Sequence, residues 1–84
     1  MVVKKTTIPE ALPLASLQSG RKARLLEVHG GRRLQSHLLA LGLVQGREIS
    51  MLNNTGCGPV ILGLGNSRLS LGRGAAHKII VQAA

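Results

Sequence analysis

The chain reads as a mainly β protein, a small and partly open barrel of about five strands with one inserted α-helix. Three observations predict it. Short stretches of alternating apolar and polar residues recur between glycine-rich breaks. One longer stretch instead repeats its leucines at helical spacing, Leu34, Leu38 and Leu41. That stretch ends in Leu41-Gly42-Leu43-Val44-Gln45-Gly46, a glycine stop followed by the entry to a strand. Eighty-four residues make one domain near the small end for independent folding. Such a chain buries about 60–65% of its unfolded surface, and its net stability should be roughly 4–13 kcal/mol.

Residues 1–13 carry Lys4, Lys5 and two prolines and are expected to form a flexible N-terminal arm, with the barrel domain spanning 14–84. Leu14-Ala15-Ser16-Leu17 fits a single helical turn that plugs one end of the barrel and stops at Gly20. Arg21–His29 is the first strand, and Val28 falls out of phase with Leu25, which predicts a bulge between them. Gly30-Gly31 breaks the strand, and Arg32–Leu41 is the helix.

Gly42 sits where a helix needs a left-handed residue just past its cap, a conformation that costs a residue with a Cβ roughly 1–2 kcal/mol. Gly46 punctuates again before the strand Arg47–Asn54, whose Ile49 and Met51 share a face. A turn-rich loop holding Cys57 leads to Pro59–Leu64, with Val60, Leu62 and Leu64 on one face. Gly65-Asn66 is a two-residue hairpin signal, and Ser67–Leu71 follows with Leu69 and Leu71 inward. Gly72–His77 is a tight connection or helical turn, and Lys78–Val81 is the last strand.

These residues, in this order, resemble the ferrous iron transport protein A (FeoA-like) family, whose fold is an SH3-like β-barrel. The likeness rests on the opening Pro13-Leu14-Ala15-Ser16-Leu17 with Gly20, on Gly30-Gly31, and above all on Leu38 through Gly46. Gly58-Pro59-Val60, Ser67–Leu71, Ala75-Ala76 and Ile79-Ile80-Val81 complete it. The resemblance implies a cytoplasmic accessory and regulatory protein of bacterial ferrous iron uptake, peripheral to the inner membrane. Its partner would be the large iron permease with its GTP-hydrolysing domain. The chain departs from the family where the last turn, often acidic there, reads Gly72-Arg73-Gly74. The same fold resembles the C-terminal domain of metal-dependent repressors, but no helix-turn-helix segment accompanies it here.

Composition excludes several functions. There is no Phe, Tyr or Trp, hence no base-stacking platform and no aromatic groove for proline-rich peptides. Asp is missing as well, and no serine lies in a nucleophile-elbow pattern, so no enzyme is expected. The single Cys57 excludes an internal disulfide framework and fits a reducing compartment. No apolar run approaches the ~20 residues needed to span a bilayer. His29, His37, His77 and Cys57 are the candidate metal ligands, but their spacing matches no metal motif. No cofactor is therefore required, and weak Fe²⁺ or Zn²⁺ binding through surface residues stays open.

Two surfaces are the expected working parts. Leu39, Leu43 and Val44 surround the glycine corner and cannot all lie inside so small a barrel, which marks a docking or self-association patch. The formal charge is +8, and Arg21, Lys22, Arg24, Arg32 and Arg33 are expected to face an acidic patch on the permease or anionic lipid. Arg32 and Arg33 oppose the helix dipole at a cost of a few tenths of a kcal/mol. The function expected is a protein-interaction module on the permease. A nucleic-acid-binding barrel without a specific target and a transition-metal-sensing domain are the alternatives, and a homo-oligomer stays open.

Overall fold

A computed structural model describes residues 11–83. Six antiparallel strands form one sheet in the order β1-β6-β2-β3-β4-β5. They are β1 (Ala11–Pro13), β2 (Lys22–Val28), β3 (Glu48–Asn53), β4 (Val60–Leu64), β5 (Ser67–Leu71) and β6 (Ile79–Ala83). A 3-10 turn (Leu14–Ser16) follows β1, the helix α1 (Arg32–Ala40) links β2 to β3, and a four-residue helix α2 (Arg73–Ala76) precedes β6.

The alternation read from the sequence decides which side chains go inside. Ile49 and Met51 on β3, Val60 and Leu62 on β4, and Ile79 and Val81 on β6 are fully buried, and each pair is spaced two residues apart. Leu14 and Leu17 close one end of this core as a plug. On β2 the register against β6 shifts between Leu25 and Glu27, where the out-of-phase Val28 predicts a bulge. β4 and β5 join through the two-residue Gly65-Asn66 turn, with Leu64 opposite Ser67.

Two expectations change. The sheet has six strands, because Ala11–Pro13 pairs with β6 (Ala11 with Gln82, Pro13 with Ile80). Ala11–Pro13, assigned to the arm from the sequence, is thus a strand of the sheet. Residues 1–10, the rest of the expected arm, lie outside the described residues. A three-residue strand that ends in proline shows no alternation of its own; the open edge of β6 puts it in the sheet.

Candidate docking groove

The helix α1 ends as its glycine predicts. Leu41 is the cap, Gly42 has φ +91°, Gly42 N–H donates to Leu39 C=O at 3.0 Å and Leu43 N–H to Leu38 C=O at 2.9 Å. These two crossed bonds satisfy carbonyls that the last helical turn leaves open. The chain then reverses, and Gly46, with φ +87°, donates its N–H to Leu25 C=O at 2.8 Å. Leu25 N–H in turn reaches Arg47 C=O at 3.0 Å, so the corner is pinned to the middle of β2.

This pinning makes a groove. Strand β2 pairs with β3 only over Lys22–Arg24, which leaves the β3-side edge of Glu27 and Val28 without a strand partner among the described residues. Helix α1 flanks that side, presenting Arg32, Gln35, Ser36 and Leu39, the one-face spacing of a helix. Between them lies an open groove of about 500 Å³, with Leu26, Val28, Leu39, Leu43 and Val44 among its lining residues. Leu39 is 63% exposed and Val44 39%, both high for large apolar side chains. At the rim, Glu27 and His29 approach to 3.1 Å, an exposed pair that contributes little to stability.

The three-residue apolar patch is thereby divided. Leu43 is only 3% exposed and belongs to the core, because its position two residues past the helix cap turns it back on the helix end. It lines the groove from within, while Leu39 and Val44 form the exposed part.

The five cations are divided too. Arg21, Lys22 and Arg24 lie at the start of β2, and Arg32 and Arg33 lie beyond its far end. Six residues of strand separate Lys22 from Val28, about 20 Å. Arg24 Nη1 is engaged with Gly46 C=O at 3.0 Å, and Arg32 lines the groove. Arg21, Lys22 and Arg24 thus lie apart from Arg32 and Arg33.

Among the described residues, no three of His, Cys, Asp and Glu come close enough to hold a metal ion. His29 N–H donates to Lys78 C=O at 2.6 Å, and His77 is the exposed cap of α2. His37 is exposed on α1, and Cys57 is exposed in the β3–β4 loop.

Sequence reasoning missed a polar clasp at the plugged end. Arg73 donates through Nε to Gly58 C=O (2.9 Å), through Nη1 to Ala15 C=O (3.3 Å) and through Nη2 to Asn54 Oδ1 (2.7 Å). Asn54 Nδ2 donates to the carbonyls of Ala15 and Leu17 at 2.9 and 2.8 Å. The available signal was the basic residue in Gly72-Arg73-Gly74, whose partners lie far along the chain.

Comparison with known proteins accounts for this architecture. The FeoA domain model matches residues 12–83. A Methanocaldococcus jannaschii protein named for Fe(2+) transport, as transport protein A, is 31% identical over 70 residues, covering 83% of this chain and 84% of that protein. The crystal structure of an iron uptake regulatory protein, FeoA, superposes with a TM-score of 0.83 at 28% identity, covering 88% of this chain and 99% of the other. A manganese-dependent transcriptional repressor superposes with a TM-score of 0.84 at 18% identity over 93% of this chain and 44% of its own, a likeness of fold alone. The barrel is thus SH3-like, and the chain belongs to the FeoA family of ferrous iron transport proteins.

Proposed function

We propose that the protein is a cytoplasmic, non-enzymatic accessory of ferrous iron uptake that docks on the iron permease and its GTP-hydrolysing domain. The observation that carries this reading is the groove between β2 and α1, where a strand edge without a strand partner lies across from exposed Leu39 and Val44. An extended segment of the partner can add backbone hydrogen bonds to the strand edge while an apolar side chain covers Leu39. Arg32 at the same groove favours an acidic residue in that segment.

Calorimetric titration with the permease's cytoplasmic GTP-hydrolysing domain, with and without guanine nucleotide, tests the reading. The native chain should bind. Leu39→Asp should weaken binding about 30-fold, the worth of burying one leucine, without changing the thermal unfolding of the free protein. A Leu39→Asp protein that binds as well as the native one would refute this docking mode.

A further inference from the structure

The outer face of the sheet carries a second surface that shares no residue with the groove. Ile49 and Met51 point into the core, so Ser50 and Leu52 face outward, and Leu52 is 46% exposed. The register aligns Lys22 with Ser50, Ser50 with Gly63, and Gly63 with Arg68 in one row across four strands. Because Gly63 has no side chain, Leu52 lies flat over it, its Cδ2 3.4 Å from where a Cβ on Gly63 would be. An exposed leucine thus sits between a lysine on β2 and an arginine on β5. The hairpin end adds Arg47, whose Nη2 is 3.7 Å from where a Cβ on Gly65 would be. Glu48 is the only acidic residue on β3, β4 and β5, and it lies opposite Arg24 in the register.

We propose that this face docks on an anionic lipid bilayer, with Leu52 entering the headgroup layer and Lys22 and Arg68 pairing with lipid phosphates. Apolar and cationic groups side by side suit that surface, where each contributes. A nucleic-acid backbone uses the cations but has nothing for the leucine to enter. Ser50 and Ser70, small and outward, leave the face open to approach.

Co-sedimentation with vesicles of phosphatidylglycerol and phosphatidylcholine in equal parts tests the proposal. The full chain should bind these vesicles, should not bind pure phosphatidylcholine, and should release as salt rises. Lys22→Gln with Arg68→Gln should weaken binding about 25-fold, at about fivefold per cation. Leu52→Ser should weaken it about tenfold. All three positions are exposed, and unchanged circular dichroism confirms that the variants fold. Leu39→Asp should bind vesicles normally, so the outcome is independent of the permease titration. Equal binding to uncharged vesicles, an unaffected Lys22→Gln/Arg68→Gln protein, or loss of binding in Leu39→Asp would overturn the proposal. So would an unaffected Leu52→Ser protein displaced from vesicles by duplex DNA, since that is plain polyanion affinity.

Discussion

At the scale of single residues, two glycines of this chain should respond oppositely to the same substitution. Gly42 has φ +91° and open space around it, so an added methyl group meets nothing but its own backbone. Gly42→Ala should therefore cost about 1–2 kcal/mol, the penalty for left-handed backbone. Gly74 lies inside α2, has open space and is not held at positive φ. Gly74→Ala should stabilise by about 0.5–1 kcal/mol, since alanine favours the helix and loses less backbone freedom on folding. Urea unfolding midpoints of the two variants check both signs. Equal shifts in the same direction would refute the conformational account. Leu43 and Leu39 show the same dependence on position: one side chain turns back under the helix end and the other faces solvent, although they are four residues apart.

At the scale of elements, the joints between strands and turns bear the organisation. Arg73 on α2 joins the β3–β4 loop and the 3-10 turn, and Asn54 completes the clasp. Arg73→Ala should destabilise by about 1–2 kcal/mol, because charge-assisted bonds are lost from a half-buried site while Asn54 and Ala15 keep their mutual bond. Arg73→Lys should not restore the loss, since an ammonium group cannot reach three acceptors arranged around a planar fork. Chemical denaturation of both variants, with a double-mutant cycle against Asn54→Ala, measures the coupling, expected at about 1 kcal/mol. Zero coupling would leave the clasp without energetic content. An acidic side chain at this position could not donate these bonds, so the arginine of Gly72-Arg73-Gly74 has a structural use here.

At the scale of the whole molecule, the sheet order ranks the strands by protection. β6 and β2 lie inside the sheet and pair with each other from Ala23 to Val28, while β1 and β5 are its edges among the described residues. Amide hydrogen exchange followed by NMR should find the slowest protons on β2 and β6, exchanging only with global unfolding, and faster exchange along the outer edge of β5. Uniform protection across the six strands would contradict that ranking. Charge is distributed at the same scale. Arg32 lines the groove while Lys22 and Arg68 lie on the sheet away from its lining residues, so the +8 of the chain is spread over separate surfaces.

By itself, the sequence determined what short-range physics controls. Alternation placed Ile49, Met51, Val60, Leu62, Ile79 and Val81 inside, helical spacing and Gly42 set where α1 ends, and the ordered motifs pointed to the family. Tertiary structure decided what depends on register between distant segments. It seated Ala11–Pro13 on β6, drew Leu43 into the core, and separated Arg32 and Arg33 from Lys22. It also brought Arg73 to Asn54 and laid Leu52 over Gly63. Period and turn chemistry act over a few residues, whereas the neighbour that a side chain meets is set by which strand edges remain to be paired once the core has closed.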